Sequence, residues 1–197
     1  MSGVSTARRH SRRSAAAPIV LTTVRVLLGP AVVLLAYAGV RGWPMAACII
    51  AALLSDFFDG VLARKLNVVT AVLRRYDSIA DTVFYVGVLV AVWHLERSVV
   101  FRFKWLLVPL VLLEIIRIAV ECARFGHMAA YHLWSSKAWG LVLALSTIAL
   151  LGYGVAGPLL TLALAAGIIC DSEGLAISLV LSNPKHDVRT VFHALRG

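Results

Sequence analysis

Four aspartates, Asp56, Asp59, Asp77 and Asp81, stand close together in a chain that is otherwise oily. Asp56 and Asp59 are three apart, Asp77 and Asp81 four apart. On helices each pair points to one side, so two helices meeting there bring four carboxylates together. Like charges share a low-dielectric pocket only when protons or cations compensate them. Oxygen-rich clusters of this kind suit hard divalent ions such as Mg2+ or Mn2+. Between the pairs lie Gly60, Ala63 and Arg64. A glycine lets a phosphate approach the backbone, and an arginine grips phosphate with two parallel N–H groups. Metal, phosphate grip and spare carboxylate together suggest phosphoryl-type transfer.

The elements that must hold these residues are membrane helices. The 197-residue chain is 60% hydrophobic and 15% charged, with a mean hydropathy of +0.88. A soluble domain of that composition lacks the polar material to cover its surface. The expected fold is all-α, a polytopic membrane protein with six transmembrane helices in one bundle, at about residues 18–40, 44–64, 77–95, 103–123, 137–153 and 155–182. A basic N-terminal arm, 1–17, is expected to be disordered or to lie at the interface, with a polar tail at 183–197. Arg25 and Pro30 interrupt the first apolar run, which argues against a cleaved signal peptide. Thirteen lysines and arginines fall on the side of both termini and the aspartates, and four on the other, leaving out Arg25 and Arg117 inside spans. That imbalance puts the termini and the aspartates on the cytoplasmic face of the cell (plasma or inner) membrane. The net charge of +9 then belongs to loops facing anionic headgroups in the bilayer, and no nucleic-acid partner is expected. Cys48, Cys122 and Cys170 lie in apolar runs and read as small buried side chains.

The pattern Asp56-x2-Asp59-Gly60-x2-Ala63-Arg64-x12-Asp77-x3-Asp81 resembles the signature of the CDP-alcohol phosphatidyltransferases, integral-membrane enzymes that join a CDP-linked lipid to an alcohol and release CMP. Seven positions at fixed spacing carry the resemblance, and the first half looks similar to the phosphatidylglycerophosphate and cardiolipin synthase branch. The resemblance implies two Mg2+ or Mn2+ ions held by Asp56, Asp59, Asp77 and Asp81. It also implies a diphosphate site of Asp56, Gly60, Ala63, Arg64 and Thr70, and Asp81 free to accept the acceptor's hydroxyl proton. The donor would be a CDP-diacylglycerol-type lipid, and a homodimer follows by analogy with the fold. One position departs. The family places a glycine four residues before the third aspartate, where this chain has Leu73. Either the leucine intrudes on the nucleotide or the loop has shifted to accommodate it, and the second is expected. The departure also leaves open a catalytically weak lipid- or nucleotide-binding relative. A divalent-ion transporter is the third reading, although it would not need Gly60, Ala63 and Arg64 in place.

Other polar residues stand inside apolar runs. Arg25 in the first span either snorkels to headgroups or, with Thr22 and Pro30, matches a Thr-x2-Arg and proline pattern that family members carry near the nucleotide pocket. Glu114, Arg117, Glu121 and Arg124 make one stripe down a helix that cannot face lipid. They form an ion-pair ladder, Glu114 to Arg117 and Arg117 to Glu121, or the wall of an acceptor pocket. Arg117, Arg124, His132 and Lys137 are the candidate acceptor-binding residues, and their charge favours an acceptor that itself carries phosphate. Asp171-Ser172-Glu173-Gly174 is expected to break the last span locally, or else to supply an acid that pairs with Arg117.

Overall fold

A computed structural model of the protein describes residues 3–66, 70–125 and 134–180. All of its regular structure is helical: α1 Gly3–Tyr37, α2 Trp43–Lys65, α3 Ala71–Leu95, a short α4 Arg97–Arg102, α5 Lys104–Phe125, α6 Trp134–Thr147 continuing through a π-helical stretch Ile148–Gly152, and α7 Pro158–Val180. No strand occurs among the described residues. Four segments are long and apolar enough to cross a bilayer: Ile19–Tyr37, Trp43–Leu62, Arg75–Leu95 and Pro158–Leu179. The two other expected spans fall short of that measure for visible reasons. Helix α5 carries Glu114, Arg117, Glu121 and Arg124, and the apolar part of α6, Ala138–Gly152, is shorter.

Two expectations are narrowed. The residues before 18 are helical and no break divides them from the first span, because α1 runs unbroken from Gly3. Alanine and arginine, which recur through residues 7–17, are strong helix formers. The last span is not broken at Asp171–Gly174 either, since α7 is continuous from Pro158 to Val180. The Ser172 hydroxyl donates to the Ile168 carbonyl at 2.7 Å within the helix, and Asp171 faces Arg117 of α5, with Nε and Oδ1 3.6 Å apart. Polar side chains satisfied in these ways have no need to open the backbone.

The chain forms two compact units. The first holds α1, α2 and α3 with residues 151–154. Its interior combines Ala36, Ala46, Ala52, Ala80 and Ala91 with Val32, Met45, Ile49 and Phe84, while Leu27, Leu34, Leu53, Leu89 and Trp43 point outward. Small residues between helices let backbones approach closely, as is common where helices associate in lipid. The closest approach is between α1 and α3, where a Cβ on Gly87 would stand 2.6 Å from the Gly29 carbonyl oxygen. At one end of the unit Arg41 donates to Glu96 at 2.5 Å and to the Leu95 carbonyl at 3.3 Å, tying the α1–α2 turn to the end of α3. The aspartates lie at the other end.

The second unit holds α5, α6 and α7. Here a Cβ on Gly167 of α7 would meet Leu110 Cδ1 at 2.8 Å and Trp139 Nε1 at 2.9 Å, and the Trp139 indole donates to the Ala163 carbonyl at 3.0 Å.

The α1–α3 crossing makes a prediction. Gly87→Ala drives a methyl into backbone that cannot move without separating the helices, and should cost about 1–3 kcal/mol. Gly140→Ala on α6, where a Cβ meets nothing within 4 Å, should leave stability unchanged or slightly raised. Thermal unfolding of both variants in detergent checks the contrast.

Candidate active site

The site is assembled at one end of the first unit by three helices. Helix α1 brings Thr22 and Arg25 near the start of its apolar segment, α2 brings Ser55, Asp56 and Asp59 near its end, and α3 brings Asp77 and Asp81 near its start. Up, down and up again, the three helices place these residues at the same level. At about 1.5 Å of rise per residue, Arg25 and Asp81 lie roughly 9 Å, and Asp59 roughly 5 Å, inside the ends of their apolar segments.

Arg25 is at the centre. Its side chain is only 2% exposed, and its guanidinium meets all four aspartates. Nη1 donates to Asp77 Oδ1 at 2.9 Å and to Asp81 Oδ1 at 2.5 Å, and Nη2 donates to Asp59 Oδ2 at 2.5 Å. Asp56 Oδ1 lies 3.2 Å from Nη1. The two hydrogens of that nitrogen already point to Asp77 and Asp81, so Asp56 is held to it by charge. The Nε–H donates to Ser55 Oγ at 3.4 Å, and Ser55 in turn donates to the Ala52 carbonyl at 2.8 Å. Thr22 Oγ1 donates to Asp59 Oδ2 at 3.3 Å. Asp59 is the floor of the cluster, 7% exposed, and Asp56 at 55% is its rim. Beside it, Thr23 Oγ1 and the Tyr76 hydroxyl lie 2.9 Å apart, a second tie between α1 and α3.

One guanidinium opposite four carboxylates leaves the cluster strongly negative when the acids are ionised. Oxygens of Asp56, Asp59 and Asp77 lie within 4.8 Å of one another, so that one cation could touch all three after a small side-chain adjustment. Ligand distances of about 2.0–2.6 Å are what hard divalent ions require of such oxygens. The donor set is all carboxylate, the charge is under-compensated, and the rim is open, so the residues fit a divalent cation. Asp81, expected as a fourth ligand, is outside that group of three but is brought to the same arginine nitrogen.

The residues expected to grip phosphate continue along α2, which carries Gly60, Ala63 and Arg64 to its end at Lys65; the side chains of Ala63 and Arg64 lie outside the described residues. Thr70 caps α3, its hydroxyl accepting from the Leu73 backbone N–H at 3.1 Å. Leu73 therefore sits in the first turn of a regular helix, where a side chain costs nothing in backbone conformation.

The polar stripe of α5 forms the expected ladder in the second unit. Arg117 donates to Glu114 Oε2 from Nη2 at 2.6 Å and from Nε at 3.1 Å, and from Nη1 to Glu121 Oε1 at 3.4 Å, with Asp171 of α7 as a third acid. Gly174 makes room for this arginine, since a Cβ there would stand 3.0 Å from Arg117 Cδ. Glu121 is fully buried and accepts from Ser178 Oγ at 3.1 Å. Arg124 donates to the carbonyls of Ser178 and Leu179 at 2.5 and 2.6 Å, at the end of α7, where those carbonyls lack helical partners and the helix dipole favours a cation. The two candidate acceptor-binding arginines are thus engaged by protein oxygens. His132 and the side chain of Lys137 lie outside the described residues.

Sequence reasoning left Arg25 with two readings and did not assign Ser55 or Tyr76 to the site. The available signal was the arginine itself. A cation one or two turns inside an apolar span needs a partner, and the aspartates are the acids at matching depth.

The family model of the CDP-alcohol phosphatidyltransferases matches residues 15–181, which takes in every helix of both units. No curated protein and no solved structure matches the chain.

The capped start of α3 is testable. Leu73→Gly removes a side chain from a helical position and should lower stability by about 0.5–1 kcal/mol. A gain in the unfolding temperature would show instead that leucine is strained at this position.

Proposed function

The chain belongs to the CDP-alcohol phosphatidyltransferase family, and we propose that it transfers the phosphatidyl group of a CDP-diacylglycerol-type lipid to an alcohol acceptor, releasing CMP. Family membership and four apolar helices make it an integral membrane transferase of phospholipid head-group chemistry. The observation that carries the finer reading is the convergence of Asp56, Asp59, Asp77 and Asp81 on one buried guanidinium, at the ends of three apolar helices. A site at that depth reaches a water-soluble nucleotide from one side while the lipid's chains remain in the bilayer.

In this reading Asp56, Asp59 and Asp77 hold Mg2+ or Mn2+, two ions in all with Asp81 shared. The ions, when bound, neutralise the diphosphate and orient it for displacement. Gly60, Ala63, Arg64 and Thr70 line the diphosphate, with Arg64 answering the charge that builds on it. Asp81 takes the proton of the acceptor hydroxyl. The acceptor oxygen attacks the lipid-bearing phosphorus, the bond from that phosphorus to the bridging oxygen breaks, and CMP leaves with both electrons of that bond. Positioning of two bound reactants supplies much of the rate. Arg117, Arg124, His132 and Lys137 are put forward for an acceptor that bears phosphate, such as glycerol 3-phosphate. The two arginines would have to exchange a protein oxygen for a phosphate oxygen.

The same reading takes α5 and α6 as the two further spans, giving six. Helix α5 is 22 residues, about 33 Å at the helical rise, and its charges are satisfied by one another and by α7 instead of facing lipid. Both termini and the aspartate site then face the cytoplasm, and the spans offer a surface for a homodimer.

Two measurements test this. Purified protein given CDP-diacylglycerol and a panel of alcohols should release CMP only with Mg2+ or Mn2+, and Asp56→Asn or Asp59→Asn should lower the rate by about 100-fold or more while the helices stay folded. Full activity in EDTA would remove the metal from the reading, and nucleotide binding without CMP release would point to a catalytically weak relative. For orientation, single cysteines at His10 and Thr190 should react with a membrane-impermeant reagent from the cytoplasmic side and one at Ser98 from the opposite side. The reverse pattern would overturn the charge-count argument.

A further inference from the structure

The guanidinium of Arg25 is held by the same carboxylates that a metal ion would use. Nη1 lies within 3.2 Å of oxygens of Asp56, Asp77 and Asp81, and Nη2 lies 2.5 Å from Asp59. Asp56, Asp59 and Asp77 are also the three residues whose oxygens come near enough to one another for a single divalent ion. A cation bonded to those three residues at about 2.0–2.6 Å would stand within a few ångströms of the guanidinium that they already bind. Two like charges at that separation, in a site whose floor is buried, repel strongly. The arginine is also committed: Nη1 spends both hydrogens on Asp77 and Asp81, Nη2 reaches Asp59, and Nε reaches Ser55.

We propose that Arg25 is the resident cation of the carboxylate site, a positioning residue that holds the four aspartates together in the metal-free protein and competes directly with the divalent ion for them. Without a cation, four aspartates at the ends of apolar helices would repel one another and force α2 and α3 apart. With Arg25 in place the bundle is complete before metal arrives. The ion then gains the carboxylates only by taking them from the guanidinium, which weakens its hold and keeps it exchangeable. Burial of the arginine enforces the competition, because a side chain with 2% exposure has no water to retire to while its partners remain in place.

This inference rests on the divalent-cation reading of the site, and the experiment separates the two. Mn2+ binding to the purified protein in detergent is measured by titration calorimetry, without substrate, for wild type, Arg25→Gln, Arg25→Lys and Asp59→Asn. Thermal unfolding of each is followed in EDTA and at saturating Mn2+. Wild type should unfold cooperatively in EDTA and gain less than Arg25→Gln at the same free Mn2+ concentration. Arg25→Gln should unfold at a lower temperature in EDTA, recover with Mn2+, and bind the ion about tenfold or more tightly, since one like charge has left the ligand set. Arg25→Lys, whose single ammonium cannot reach Asp59 and the Asp77–Asp81 pair together, should bind Mn2+ with an affinity between the two, and it carries the comparison if the glutamine variant does not fold. Arginine variants that bind Mn2+ no more tightly than wild type, or a wild-type protein that loses cooperative unfolding in EDTA, would overturn the inference. If wild type binds Mn2+ and Asp59→Asn does not, the metal reading stands whatever the arginine variants do. If wild type shows no binding that depends on Asp59, the metal reading falls and this inference falls with it.

Discussion

Four carboxylates inside the ends of apolar helices are stable only where positive charge meets them, and the first unit is arranged around that constraint. The charge comes from Arg25, on a helix that carries none of the acids. Removing water from an aspartate costs several kcal/mol unless hydrogen bonds and opposite charge replace it. Asp59, the deepest, receives both the guanidinium and the Thr22 hydroxyl. Asp56, the most exposed, keeps water as its main partner. The gradient from floor to rim gives the site one open side, and a charged substrate can approach a cluster whose inner half is already organised.

That meeting of charges depends on packing elsewhere. Arg25 reaches Asp77 and Asp81 because α1 and α3 approach at Gly29 and Gly87 until backbone nearly touches backbone. Any side chain at either glycine would hold the helices apart and lengthen every contact of the guanidinium with α3. Buried alanines help in the same way between the other faces, beside Val32, Met45, Ile49 and Phe84. The geometry of the aspartate cluster is therefore a property of the whole three-helix unit, set in part by glycines outside the cluster.

The second unit solves the same problem with the proportions shifted. Arg117 answers Glu114, Glu121 and Asp171, and Arg124 closes the open carbonyls at the end of α7. A helix with four charges can then lie among apolar neighbours, since its polar groups are turned to one another and to α7. Asp171 and Gly174, which read in sequence as a helix break, are what let α7 accept the arginine without breaking.

Local periodicity determined much of this protein from sequence alone. The apolar runs gave helices of membrane-crossing length, and the three- and four-residue spacings put each aspartate pair on one helix face. The motif from Asp56 to Asp81 named the family that the whole-chain match supports. Those signals rest on contacts within one helix, which spacing along the chain encodes directly. The partners across helices were decided only by tertiary structure. Arg25 was equally compatible with headgroups and with the site until the Gly29–Gly87 crossing fixed its depth against α3. Arg117 had two acids on its own helix in sequence and a candidate third at 171–174, and the packing of α7 chose Asp171. The composition changes near residue 18, but helix formation depends on propensity and continues back to Gly3. A buried charge announces that it must have a partner, but which partner depends on how closely two backbones approach, and no spacing within one segment contains that distance.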